Sequence, residues 1–197
     1  MVGEVMKTIK NNLENIIIIK NSKFITNIFK LNSENDIGKY LKEIRDKYND
    51  ANHHCYAYVY ENIKRCSDDG EPSGTAGIPM MQVLEKRELS NLLVIVTRYF
   101  GGIKLGASGL VRAYSNSVST TLDKSEIINL TKGKNIDIIF NYDNIKKIDY
   151  LIKDKTILNK EFNDCIKYNL NVDNNTLEIL KSFNDIKIII NYDIYLD

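Results

Sequence analysis

Asn91 to Leu122 reads NLLVIVTRYFGGIKLGASGLVRAYSNSVSTTL, and the architecture follows from this stretch. It opens on a continuous apolar run, Leu92 to Val96, short and β-branched, as expected of a strand covered on both faces. Arg98, Tyr99 and Phe100 follow, then the pair Gly101-Gly102. Leu110, Val111, Tyr114, Val118 and Leu122 then recur at three- and four-residue spacing, which predicts an amphipathic helix. Strand, glycine loop and helix bring backbone N–H groups and a positive helix end to one point. The first four amides of a helix lack internal partners, so such a point suits an anion.

The bulk properties narrow the possibilities. The chain has 197 residues, enough for one large or two small domains. A net charge of +1 gives no global field toward nucleic acid or membrane, so polyanion recognition would need a local patch. The three cysteines, Cys55, Cys66 and Cys165, are scattered and form no Cys-x-x-Cys, against a disulfide scaffold or structural zinc site. The first residues lack the apolar core of a signal peptide, and no aliphatic run is long enough to cross a bilayer. A cytoplasmic protein without a membrane role is expected.

Outward from the central stretch, residues 1–12 read as a loose lead-in. Strands are predicted at 16–20 and 22–31, joined at Asn21-Ser22. Asn32-Ser33 with Asp36 provides helix-start chemistry before the stripe Ile37, Tyr40, Leu41, Ile44 and Tyr48. His53 to Glu61 alternates as a strand: Cys55, Ala57 and Val59 on one face, Tyr56, Tyr58 and Tyr60 on the other. The tyrosines read as a covered sheet face, with a base-stacking platform as the sharper alternative. Cys66 to Gly77 is a tight loop, and a helix follows from Pro79 to Lys86-Arg87. The stretch 123–133 reads as a boundary ending at Gly133. Beyond it the order is β-α-β-β-α-β, a ferredoxin-like arrangement, with Asp173 among the residues capping its second helix. From Lys132 to Asp197 ten Lys stand against eleven Asp plus Glu, so this part is not expected to bind nucleic acid alone.

Three groups could carry chemistry. Gly101, Gly102, Gly106 and Gly109, flanked by Arg98 and Lys104, could cradle a phosphate, or could simply permit a sharp turn. The spacing is neither a Walker A loop nor a dinucleotide fingerprint. Asp68, Asp69 and Glu71 could hold Mg²⁺ or act as acid and base, or serve as turn residues. In His53-His54-Cys55, adjacent side chains on a strand point to opposite faces, which argues against a Cys–His dyad. No cofactor and no metal are assigned.

Three segments together resemble the YigZ/IMPACT family: His53-His54-Cys55-Tyr56-Ala57, Ser67 to Gly77, and Val96 to Gly106. The resemblance implies an α+β architecture of two domains. Residues 1–125 would form an IMPACT-type domain with the fold of domain IV of elongation factor G and a ribosomal small-subunit protein. Residues 134–197 would form a ferredoxin-like domain similar to domain V of that factor. Eukaryotic IMPACT proteins restrain a kinase of a translation initiation factor through an additional RWD domain; the chain is expected to lack that domain, so kinase regulation is not carried over. The expected function is recognition of RNA or a phosphate-bearing ligand near translation, with the ribosome or RNA as partner and no DNA. Arg98, Tyr99, Gly101, Gly102, Lys104 and Gly106 would form the phosphate site, and Asp68, Asp69, Glu71, Ser73, Thr75 and His54 the second loop of that site. The alternative is a metal-dependent hydrolase or phosphotransferase acting on a small phosphorylated molecule.

Overall fold

The computed structural model describes residues 5–196. The chain divides into two compact units, Met6–Asn129 and a second built on Leu130–Asp197. It is an α+β protein with two sheets and five α-helices.

The first unit contains β1 (Val5–Ile9), β2 (Leu13–Ile19), β3 (Ser22–Lys30), α1 (Asn35–Lys47), β4 (His53–Tyr60) and β5 (Ile63–Ser67). It continues with α2 (Gly77–Lys86), β6 (Leu92–Tyr99) and α3 (Ala107–Leu122). Its antiparallel sheet runs β2-β3-β6-β4-β5. The central β6 is covered on both faces, which is why it is apolar without alternation. On one face Leu92, Val94 and Val96 pack with Met80 and Leu84 of α2 and Leu110, Tyr114 and Val118 of α3. On the other, Leu93 and Ile95 pack with Ile37 and Ile44 of α1. Tyr56, Tyr58 and Tyr60 belong to this second cluster, so they are a covered sheet face and not a stacking platform.

The second unit continues from β7 (Ile127–Phe140) through a 3-10 turn (Tyr142–Asn144), α4 (Ile145–Leu151), β8 (Thr156–Phe162), β9 (Ile166–Asp173), α5 (Asn174–Lys181) and β10 (Ile186–Leu196). β10, β7, β9 and β8 lie side by side, each antiparallel to its neighbour. That is the βαββαβ arrangement in the ferredoxin-like order. Asp173 caps α5 as expected, accepting from the Thr176 amide at 2.8 Å.

Several local expectations are corrected. Residues 5–9 of the supposed lead-in form β1, and Ile9 belongs to the core of the first unit; residues 1–4 lie outside the described residues. β5 was hidden because four of its five residues are exposed, leaving no apolar alternation. The stretch read as a boundary, 123–133, holds the turn after α3 and the start of β7, and the two units divide within it, between Asn129 and Leu130. Gly133 is a point of close approach: a Cβ there would lie 2.5 Å from the Val172 carbonyl oxygen. At α1, Ser33 provides no cap. Asp36 instead accepts from the Asn32 and Ser33 amides, each at 2.9 Å.

The β2–β3 hairpin turns at Lys20 and Asn21, both at positive φ (45° and 65°), the signature of a type I′ turn. Gly101 rests directly on that turn. A Cβ at Gly101 would overlap the Asn21 carbonyl group and the Ser22 nitrogen. Gly101→Ala should therefore destabilise the fold by about 1–3 kcal/mol, because backbone cannot yield as a side chain does. Chemical denaturation checks this, and an unchanged midpoint would show that the turn does not depend on the contact.

Candidate functional site: a cleft where two loops meet

Strand register sets the site. Arg98, near the end of β6, is directly opposite Phe24 of β3 and His53 of β4. Directly paired residues share a face, so all three side chains project toward the α2–α3 side. The Arg98 guanidinium lies over the rings of Phe24 (5.4 Å) and Phe100 (5.6 Å). Its Nη1 donates to Glu71 Oε1 at 2.6 Å and its Nη2 to Ser22 Oγ at 3.4 Å. Glu71 comes from the Ser67–Gly77 loop, so the two loops singled out in the sequence converge. The same Oε1 accepts from the Tyr114 hydroxyl of α3 at 2.8 Å. His53 Nε2 lies 4.0 Å from it, while His53 Nδ1 is 2.9 Å from the Asp69 carbonyl oxygen. Arg98 and Glu71 side chains are only 6% and 3% exposed, so one buried carboxylate oxygen ties a strand, a loop and a helix together.

Asp68 and Asp69 brace this loop. The Asp68 carboxylate accepts from the amides of Gly74 (2.8 Å), Ala76 (3.0 Å) and Gly77 (2.8 Å), closing the loop and satisfying the start of α2. Burial pushes its pKa up, but those three amides outweigh burial and hold it below the usual Asp value. Asp69 accepts from the His54 amide and from Arg45, both at 2.7 Å. Its carboxyl is likewise held low, burial being outweighed by the His54 amide and Arg45. The turn reading of these acids is thus the one the structure supports. Thr75 Oγ1 donates to the Pro72 carbonyl at 2.6 Å, and Ser73 is exposed.

Other expected site residues face elsewhere. His54 is buried with Nδ1 3.1 Å from Thr97 Oγ1, and burial and then the Arg45 charge push its pKa down. It is His53 that reaches the cleft. Period-two alternation carried that signal, because His53 shares its face with Cys55 and, across the register, with Arg98. Tyr99 turns outward to donate to Asp50 at 2.6 Å, a bond that raises its pKa to about 12. The Gly101 amide donates to Ser22 Oγ at 3.2 Å and Gly102 takes a positive φ of 81°, so both shape the turn. Cys55 is no nucleophile. Burial pushes its thiol up to about 12, and its sulfur lies 2.9 Å from the Asp68 carbonyl oxygen.

What remains is a cleft of about 470 Å³, lined by Asn52, His53, Glu71, Pro72, Arg98, Phe100, Lys104, Leu105, Gly106, Ala107 and Leu110. Its size suits a small ligand or part of a larger one. Lys104 and Gly106 are the expected site residues that line it alongside Arg98 and Glu71. Gly106 holds φ at 73° and begins α3, and among the described residues no side chain caps that end. The uncapped amides of α3 therefore open on the cleft beside Lys104. Asn52, His53 and Tyr114 were missed, the last because helical spacing marks it only as core. Among the described residues, no group of three or more His, Cys, Asp or Glu is placed to hold a metal ion.

Two outcomes follow. Glu71→Gln and Arg98→Met should each cost roughly 3–5 kcal/mol, by stranding the partner charge, and the double variant should cost less than their sum; equal costs summing without coupling would refute the pairing. The lowered Asp68 and Asp69 carboxyls contribute stability that is present above the unfolded Asp pKa and lost as pH falls through the folded values. Melting temperature should drop on acidification below about pH 4, near the unfolded Asp pKa, and Asp68→Asn should flatten that drop.

A family model described as the Impact N-terminal domain matches residues 20–122, just over half of the chain. The IMPACT family member YvyE of Bacillus subtilis is 38% identical over 169 residues, covering 84% of this chain and 76% of that protein. The IMPACT family member YigZ of Escherichia coli is 38% identical over 109 residues, 53% of either chain, so the match spans about half of that relative. A crystal structure of a hypothetical protein superposes with a TM-score of 0.67 at 26% identity, covering 96% of this chain and 98% of that one. The matched segment contains both loops and every residue of the cleft, and the chain belongs to the IMPACT family.

Proposed function

We propose that the chain is a binding protein that recognises the phosphate of an RNA strand at this cleft and acts near translation. The observation that carries the reading is the uncapped start of α3 opening beside Lys104 where the two loops meet. Backbone amides of the Gly106–Gly109 turn would cradle the phosphate, and Lys104 would supply the charge. Arg98 contributes indirectly. Its guanidinium is committed to Glu71 and Ser22, so it holds the cleft wall in place. Phe100, 46% exposed at the rim, offers a ring on which a base can stack. The link to translation rests on the elongation-factor-like fold that the family resemblance implies, which is analogy. In this reading residues 1–125 form the recognising domain and 134–197 a ferredoxin-like companion, in the cytoplasm. Binding is favoured over the hydrolase alternative because Asp68 and Asp69 accept from backbone amides and Arg45, and Glu71 from Arg98 and Tyr114.

The test is fluorescence anisotropy with a short oligouridylate across a salt series, beside co-sedimentation with ribosomes. Lys104→Ala should weaken RNA binding several-fold and lower the salt slope by about one. Phe100→Ala should weaken it by roughly 1–3 kcal/mol, the worth of one stacked base. No RNA binding at low salt by the folded protein would refute the proposal.

A further inference from the structure

A second hollow of the first unit, larger than the cleft, adjoins it at Leu105. It is a groove of about 850 Å³ between α2 and α3, closed at one end by the β2–β3 turn. Ile19, Val83, Leu105, Val111 and Ala113 give it an apolar lining, with Ser115, Asn116 and Ser119 along α3. Its rim carries Lys20, Lys86, Arg87 and Arg112, and no carboxylate lines it. Arg87 is occupied, donating to Ser119 Oγ at 2.7 Å and to Asp123 at 2.6 Å. Lys20, Lys86 and Arg112 are exposed and take part in no ion pair among the described residues. The whole chain carries a net charge of only +1, so three unpaired cations around one apolar trough are a local concentration of charge.

We infer that this groove docks an acidic amphipathic helix of a partner protein. The apolar floor matches the apolar stripe of such a helix, and the cationic rim matches carboxylates flanking that stripe. The part of α3 that lines it, Gly109 to Ser119, extends over roughly 15 Å, long enough to seat about three turns of a docked helix. RNA fits less well. No aromatic ring lines the groove for stacking, and a phosphate backbone would leave the apolar floor without a partner. The inference is independent of the phosphate reading, since the linings of the cleft and the groove share only Leu105.

A displayed library of random 16-residue peptides would be selected against the intact chain, and enriched peptides measured by anisotropy. The expected winners carry apolar residues at i, i+3, i+4 and i+7 with Asp or Glu beside them. Their affinity should fall at least roughly tenfold with the double variant Lys86→Glu/Arg112→Glu, which reverses two rim charges. Lys104→Ala, in the cleft, should leave them unaffected. Thermal melting would confirm that both variants, altered only at exposed positions, are folded. No enrichment, winners without acidic residues, or indifference to the double variant would overturn the inference. So would an oligouridylate that competes with the peptides and loses affinity in the same double variant, since the groove would then be an RNA surface.

Discussion

The buried contact between Arg98 and Glu71 is what the rest of the first unit is arranged around. Two charges removed from water are costly unless their remaining hydrogen-bonding capacity is met. Here the carboxylate oxygen also accepts from Tyr114 and the guanidinium stacks on Phe24, although its buried Nε finds no acceptor among the described residues. Tyr114 in turn meets Phe24 edge-on at 5.3 Å, so the ring under the arginine also touches the helix that holds its counter-ion. Such a pair is weak evidence for net stability. It is stronger evidence for specificity, because a shifted register of β6 would bury Arg98 without Glu71. The geometry also explains why a densely polar loop can pack against a core: each of its inward carboxylates ends on a donor.

The covered sheet makes this arrangement possible. Antiparallel sheets often leave one face to water, but α1 covers one face here and α2 with α3 cover the other. β6 is thus interior through Arg98, only Tyr99 being partly exposed, and these last two side chains point to opposite faces. Arg98 goes to the loop and Tyr99 to Asp50. The transition from apolar strand to functional edge therefore takes place within two residues.

That transition was legible in the sequence because it is written in side-chain type: an unbroken apolar run, a cation, rings, then glycines and a helical stripe. The βαββαβ order was legible for the same reason, each element having its own period. Where the sequence misled, the determining contacts were distant in the chain. Asp68 and Asp69 read equally well as metal ligands or turn residues, because their partners, the Gly74 to Gly77 amides and Arg45, are fixed only by folding. Alternation puts His53 and His54 on opposite faces, but only the β4–β6 register, which pairs His53 with Arg98, shows which face is the cleft's. β1 and β5 pass unnoticed since strands lacking an apolar alternation are held by pairing, which leaves no mark on composition. At Gly133 the sequence shows a glycine but not its reason, because a glycine needed for a close backbone approach looks like one needed for a turn.

The first turn of α3 illustrates how local stability yields to accessibility. A Ser, Asp or Asn at position 106 would cap the helix, but its side-chain oxygen would occupy the amides that face the cleft. Glycine at the N-cap costs only a few tenths of a kcal/mol relative to those residues and tolerates the φ of 73° found there. The lost cap is offset further along the helix. Tyr114 is anchored to Glu71, Ser117 to Thr26 of β3, and Ser119 and Asp123 to Arg87 of α2. α3 is thereby fixed along its length by side chains on β3, α2 and the acidic loop, and its N-terminal turn can remain open without fraying. A helix pinned in this way can expose one end to a ligand and one flank to a groove, since neither surface is needed to hold the helix in place.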